Sequence, residues 1–213
     1  MRVLVFGDSN TQGFWDIDGG WASRLRKHYD IRTIKRLHKN KDYPEFYNLG
    51  ISGNKTVDVL QRFEDETKSR RWKNEEFIII FAIGLNDTTI MGGSEISNTD
   101  VYREQLERLL SEANKYSDKI LFVGLTPVEE KLTNPVPWDK TIHYTNDRIF
   151  LFENVMRDEC LKHHVPHVAV MEEMQDRIIA GQKLLEDGLH PNSEGHELIF
   201  KLVLPQLEKL LAT

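Results

Sequence analysis

The hydrophobic positions of this chain follow two different periods. Short, nearly continuous apolar runs occur at Arg2–Phe6, Phe46–Leu49, Phe77–Ile83, Ile120–Leu125 and His167–Val170. Two of them, within FIIIFAIG and ILFVGLTP, have no polar side, as expected of parallel strands covered on both faces. Between these runs the apolar residues recur at helical spacing: Val57–Thr67, Asp100–Lys115 (with Val101, Leu106, Leu109, Leu110 and Ala113), Asn146–His164 and Glu194–Leu211. Thr99-Asp100 and Asn192-Ser193 read as helix starts, because short polar side chains can accept from the first unpaired N–H groups of a helix.

Strands alternating with helices require crossover connections and hence a parallel sheet. The prediction is an α/β fold: a three-layer α/β/α sandwich on a five-stranded parallel sheet, flavodoxin-like, with residues 1–213 forming one domain. No internal repeat, low-complexity tract or linker interrupts the pattern. The least regular stretch, Pro127–Tyr144, carries three prolines and Trp138 and reads as a long surface loop of the kind that often carries function. Ligands of such sheets bind outside the carboxyl ends of the strands, so the residues following each strand are the ones to inspect.

Composition narrows the classes. A chain of 213 residues can bury roughly 70% of its unfolded surface as one large unit. A net charge of -6 and a pI near 5.8 give no reason to expect nucleic acid or an anionic membrane as partner. The short basic stretch Lys68–Lys73 sits beside acids and reads as a solvated face. The apolar run at the start is too short for a signal segment, and no stretch approaches the roughly 18 apolar residues of a membrane span. The expectation is a cytoplasmic protein without membrane insertion. Cys160 is the lone cysteine, so no disulfide framework exists, and its place in an apolar-periodic helix predicts a buried, inert thiol. The polar face of YREQLERLLSEANKY forces no interface and leaves a homo-oligomer open.

Chemistry gathers at the strand ends. The first candidate strand runs into GDSNTQG, the second into NLGISGNKT and the third into GLND, while DGLHPN follows the fifth after a short helical stretch. Each block alone is ordinary turn chemistry. Together they supply what ester hydrolysis needs: a nucleophile activated by a base, a group orienting that base, and donors aimed at a developing oxyanion. Ser9 is the candidate nucleophile, at a strand end where a following helix would direct N–H groups and its positive end. His190 is the candidate base, and Asp187, three residues earlier, can reach its ring from the same turn. The Ser9 amide, the Gly53 amide and the Asn86 side-chain amide are the candidate donors. The G-x-S-x-G signature is absent from the chain.

These four blocks, in this order from Gly7 to His190, resemble those of the SGNH hydrolases, also called GDSL-type esterases and lipases. The resemblance implies Ser9 as nucleophile, with its own amide in the oxyanion hole. It implies Gly53 and Asn86 as the other oxyanion donors, and Asp187 and His190 as the remaining members of the triad. It further implies a flavodoxin-like fold and hydrolysis without metal or organic cofactor. Asn10 departs from the leucine that many members carry after the serine. Substrates across the family include lipid esters, thioesters, acetylated sugars and aryl esters, so a small-molecule ester is the expected partner.

The function expected is a serine esterase acting on small carboxylic esters through an acyl-enzyme. An acetyl-specific carbohydrate esterase, or a lysophospholipase or thioesterase of the same family, is the alternative. A reading of a different class is a non-catalytic, flavodoxin-like binding module. It leaves Asp187, His190 and Asn86 unexplained and lacks a phosphate-cradling glycine loop.

Further residues follow from position. Asn54, beside Gly53, is expected to line the substrate site, and Trp138 to form a platform for substrate. Trp21 reads as a packing anchor, Asp8 as a cap for the next helix, and Asp87 as a buttress for the loop holding Asn86. His163, His164 and His167 predict no metal site, because Pro166 breaks the helix between them and no nearby cysteine or carboxylate completes a ligand set. The spacing of His190 and His196 around Glu194 is not that of a zinc-binding helix either.

Overall fold

The computed structural model describes residues 1–36 and 43–212. In chain order the elements begin with β1 (Arg2–Gly7), α1 (Ser9–Gln12), α2 (Gly20–Arg36), β2 (Glu45–Gly50), α3 (Thr56–Ser69) and β3 (Phe77–Ala82). A short 3-10 turn at Asn86–Thr88 leads to β4 (Ile90–Met91), β5 (Ser94–Glu95), α4 (Thr99–Asn114) and β6 (Ile120–Val123). Then come α5 (Glu130–Thr133), β7 (Ile142–His143), α6 (Asn146–Lys162), β8 (His167–Val168), α7 (Val170–Ile179) and α8 (Ser193–Ala212).

The main sheet has five strands in the order β2-β1-β3-β6-β8, each pairing parallel, the architecture read from the sequence. The inner strands β1, β3 and β6 lack a polar face because both faces are covered, whereas β2, at the sheet edge, exposes Glu45 and Asn48. Leu4, Phe6, Ile79 and Phe81 point into one core with Phe63 of α3, Leu106 of α4 and Phe152 of α6. Their neighbours Val3, Val5, Ile78 and Ile80 point into the other, with Trp21 of α2 and Val203 of α8. The period of two along each strand thus feeds two cores rather than a core and a solvent face.

The start of α8 follows the Asn192-Ser193 pair singled out, whereas α4 is capped by Asn98, one residue before Thr99-Asp100. The Asn98 side chain accepts from the Asp100 and Val101 amides at 3.1 and 2.9 Å, and Asn192 accepts from the Gly195 amide at 3.0 Å. Trp21 is buried as an anchor, and Cys160 is buried, with burial pushing its thiol up to about 12. Among the described residues no helix is long and apolar enough to cross a membrane.

Three expectations need correction. Strand β8 ends at Val168, and Val170 already opens α7. Strand β6 ends at Val123 because the Leu125 amide leaves the ladder and donates to the Glu153 side chain at 2.8 Å. Pro127–Tyr144 is not a surface loop throughout. It forms α5 and β7 and buries Val128, Thr133, Val136 and Tyr144. Strand β7 joins β4 and β5 in a small antiparallel sheet of order β5-β4-β7. Two-residue strands carry too little alternation to stand out in a sequence.

Candidate active site

The carboxyl end of β1 is shaped by close packing. A β-carbon on Gly7 would lie 2.0 Å from Thr11 Oγ1 and 2.5 Å from the Ala82 carbonyl, so only glycine lets α1 turn back this tightly. Asp8 caps that turn, its carboxylate accepting from the Asn10 amide at 2.9 Å, and Ser9 becomes the first residue of α1. The helix expected here is one turn long and closes at Gly13, with φ of 95°, so it lacks the length for a sizeable dipole.

Ser9 and the Asp187–His190 turn lie 181 residues apart in sequence and meet over the sheet edge. His190 Nε2 is 3.0 Å from Ser9 Oγ, and His190 Nδ1 is 2.7 Å from Asp187 Oδ2. Asp187 Oδ1 accepts from the Leu189 and His190 amides at 2.9 and 2.8 Å, which folds the turn so that carboxylate and ring face each other. Trp15 adds a donor that sequence reasoning missed, its indole Nε1–H reaching Asp187 Oδ2 at 2.8 Å. Burial works against charge on Asp187, but the His190 side chain and the two amides outweigh it and hold the carboxyl well below the usual range. Phe14 packs against the imidazole, with ring centroids 5.3 Å apart, and the buried His196 holds the Phe14 carbonyl at 3.0 Å.

Gly53 and Asn86 line the same cleft as the imidazole. Gly53 adopts φ of 77°, the left-handed region that favours glycine, and a β-carbon there would face open space. The Asn86 side chain is held at both ends. Its Nδ2 donates to the Asn54 carbonyl at 3.0 Å, and its Oδ1 accepts from Tyr144 Oη–H at 2.9 Å. This fixes the amide orientation and leaves a second Nδ2–H for the cleft that Asn86 lines. Asp87 accepts from the Thr56 amide and hydroxyl at 2.9 and 3.1 Å, tying the Asn86 turn to the start of α3. Burial pushes Asp87 up to about 7 and Asp8 up to about 6, in each case against hydrogen bonds that favour the charge.

These groups border a cleft of about 410 Å³, lined by Ser9, Gly53, Asn86, Asp187 and His190 and by the apolar side chains of Phe14, Trp15, Met91, Ile96, Trp138, Ile142 and Leu189. Trp138 lies 6.4 Å from the His190 ring, centroid to centroid. The Asn54 side chain accepts from Arg62 Nε at 3.0 Å, so its part at the site is its main-chain carbonyl. A hydroxyl, an imidazole and a carboxylate in hydrogen-bonded series, with amide donors across a cleft, can deprotonate the hydroxyl and steady an oxyanion.

Sequence reasoning missed Trp15 and Tyr144. Trp15 directly follows the first block, with φ of 61°, and Tyr144 closes the segment read as a loop. Neither carries a local signal, because each acts on a residue far along the chain. Carboxylates also do lie near the histidines after α6: Glu153 Oε1 is 2.9 Å from His167 Nε2, and Glu159 Oε2 is 3.6 Å from His163 Nε2. Glu159 is already matched by Arg103 and Lys162.

Comparison with known proteins follows the same lines. The family model described as GDSL-like Lipase/Acylhydrolase matches residues 3–203. The uncharacterized protein YpmR of Bacillus subtilis (strain 168) is 23% identical over 221 residues, covering 97% of this chain and 81% of that protein. A lipase/acylhydrolase from Enterococcus faecalis aligns with a TM-score of 0.71 at 22% identity, covering 98% of this chain and 95% of that one. The acetyl xylan esterase AlAXEase aligns with a TM-score of 0.73 at 19% identity, covering 96% of this chain and 98% of that one.

Proposed function

The chain belongs to the GDSL-like lipase/acylhydrolase family and is a carboxylic ester hydrolase, and from that premise we propose that Ser9 is its nucleophile, acting on small carboxylic esters through an acyl-enzyme. The family assignment sets aside the non-catalytic binding module. The observation that carries the proposal is the unbroken series Ser9 Oγ to His190 Nε2 at 3.0 Å and His190 Nδ1 to Asp187 Oδ2 at 2.7 Å, opening on the cleft.

His190 takes the Ser9 proton as Oγ attacks the ester carbonyl. Asp187 stabilises the imidazolium that forms. The carbonyl oxygen, now negative, receives hydrogen bonds from the Ser9 and Gly53 amides and from Asn86 Nδ2, with Tyr144 holding the Asn86 amide in that orientation. Collapse of the tetrahedral intermediate passes the proton from His190 Nε2 to the departing alkoxide. A water molecule then repeats the sequence on the acyl-enzyme and releases the acid.

The leaving alcohol has to lie beside His190, where the exposed indole of Trp138 lies 6.4 Å from the ring and that of Trp15 is bonded to Asp187. Flat-faced alcohols, aryl or sugar, suit such walls. This favours, as a second reading, a carbohydrate ester of the kind named for the acetyl xylan esterase that shares the fold.

The test is hydrolysis of p-nitrophenyl esters by wild type and Ser9→Ala, with labelling by a fluorophosphonate probe located by mass spectrometry. Ser9→Ala is expected to lower kcat by about 10⁴ or more and to abolish labelling. Undiminished turnover in Ser9→Ala, or a label on another residue, overturns the mechanism.

A further inference from the structure

We propose that Tyr144 is a positioning residue of the oxyanion site: its phenol polarises the Asn86 amide, through a hydrogen bond that tightens as negative charge develops on the substrate oxygen. This rests on the reading of Ser9 as nucleophile and Asn86 as an oxyanion donor.

A side-chain amide offers two N–H donors and one acceptor oxygen, and both of its ends are engaged at Asn86. One N–H goes to the Asn54 carbonyl at 3.0 Å, and Oδ1 accepts from Tyr144 Oη–H at 2.9 Å. The backbone beneath is fixed as well, by Thr56 on Asp87 and by Arg148, whose Nε donates to the Thr88 carbonyl at 2.7 Å. An amide turned the other way round would set Oδ1 against the Asn54 carbonyl, acceptor facing acceptor. Asn54 therefore already selects the orientation that sends an N–H to the cleft, and the Tyr144 bond is free to act on the strength of that donor.

The phenol is set for a steady bond. Its ring is buried in the core shared with α4 and α6. The Tyr144 amide donates to the Thr133 carbonyl of α5 at 3.0 Å, so the ring is carried on a tethered backbone. Burial raises the phenol above its usual range, which keeps it a proton donor across neutral pH.

What the bond does follows from amide resonance. When an Asn86 N–H donates to an oxyanion, the nitrogen gives density to the C–N bond and Oδ1 becomes more negative. Oδ1 then accepts more strongly from Tyr144, and the stronger that bond, the better the donor on the nitrogen. Linked hydrogen bonds strengthen one another by about 10–30% each. A neutral ester carbonyl draws on this far less than the tetrahedral oxyanion does, so the gain falls in the transition state and appears in kcat. Loss of one such bond corresponds to about fivefold, a small part of the roughly 10²–10³ carried by a whole oxyanion donor.

The experiment measures kcat and KM for p-nitrophenyl acetate with wild type, Tyr144→Phe, Asn86→Ala and the double variant, with thermal melts of each. An aryl trifluoromethyl ketone is titrated alongside. Ser9 Oγ adds to its carbonyl, the Ser9 proton passes to His190, and the adduct holds an oxyanion with no leaving group. Tyr144→Phe keeps the ring; it is expected to lower kcat about fivefold, with KM within about twofold, and to weaken the ketone by the same factor. Asn86→Ala is expected to lower kcat by about 10²–10³. Adding Tyr144→Phe to it should cost less than about twofold, because the group through which Tyr144 acts is gone. An equal loss with and without Asn86, or a loss carried by KM alone, makes Tyr144 a support of the fold or a substrate contact and overturns the proposal. Unchanged kcat and ketone affinity in Tyr144→Phe overturn it too, while the Ser9 mechanism stands. Undiminished kcat in Asn86→Ala overturns the oxyanion reading and this proposal together.

Discussion

Two imidazole–carboxylate pairs of nearly the same make lie in this molecule, and they differ in what surrounds them. In one, His190 Nδ1 meets Asp187 at 2.7 Å; in the other, His167 Nε2 lies 2.9 Å from Glu153. The two imidazoles are equally exposed, at 10% of the side chain. Accessibility of the ring therefore does not separate them. The carboxylates do: Asp187 is 21% exposed and takes four donors, whereas the Glu153 side chain is fully buried and spends one oxygen on the Leu125 amide. The second difference is the far side of the ring, where His190 finds the Ser9 hydroxyl and the cleft. His167 does not line that cleft, and its paired edge is closed by Gly124, where a β-carbon would lie 3.1 Å from His167 Nε2 and 2.6 Å from Glu153 Oε1. An imidazole–carboxylate pair becomes a candidate base only when a hydroxyl and an opening share its other edge. Otherwise it is a brace, here tying α6 to the ends of β6 and β8.

The sharpest way to break the comparison is to neutralise each carboxylate in turn. Asp187→Asn is expected to lower kcat by about 10³–10⁴, because the ring loses the partner that orients it and stabilises its charged form. Glu153→Gln should leave kcat within about twofold and cost about 1–3 kcal/mol of stability, because it disturbs the buried acceptor of the Leu125 amide and the contact with His167. Steady-state kinetics and thermal melts on the same two proteins read both effects; equal losses of kcat would erase the distinction.

A third carboxylate sharpens the point that donors and burial compete. Asp87 has two donors, both from Thr56, and burial pushes it up to about 7, above its unfolded value. Its contribution to stability is therefore fully present below about pH 4 and is lost as pH rises through about 7. The oxygen of an asparagine can accept both Thr56 bonds without that titration. Asp87→Asn should thus gain on wild type between pH 5 and 8, by on the order of 2 kcal/mol in denaturant melts. A difference independent of pH would mean that Asp87 stays charged across this range.

The smallest effect expected is that of Trp15→Phe, which keeps an aromatic wall but withdraws one of the four donors on Asp187. One hydrogen bond of about 1 kcal/mol corresponds to about a fivefold fall in kcat/KM. A fall carried by KM alone would assign Trp15 to substrate contact instead of to the carboxylate.

The layers of the fold were legible because strand and helix periods are local properties. Both faces of β1 and β3 are apolar, so FIIIFAIG reads as a covered strand. The Asp187–His190 turn was legible for the same reason, its two side chains being three residues apart. The segment from Pro127 to Tyr144 was misread because prolines and a tryptophan suggest a loop, while the burial of Val136 and Tyr144 depends on what they meet. Helix α2 carried little periodic signal, and its inner face is set by Trp21, Leu25 and Tyr29 packing on the sheet.

The sequence by itself therefore determined the five main strands, the three layers and the four polar blocks that meet over the sheet, since each follows from spacing within a few residues. Only the tertiary structure decided the 3.0 Å approach of His190 to Ser9, the indole of Trp15 on Asp187, the Tyr144 hydroxyl on Asn86 and the small sheet that walls the cleft. Periodicity tells a side chain which face it will occupy. Which distant residue shares that face is settled by crossovers and packing, and those span most of the chain.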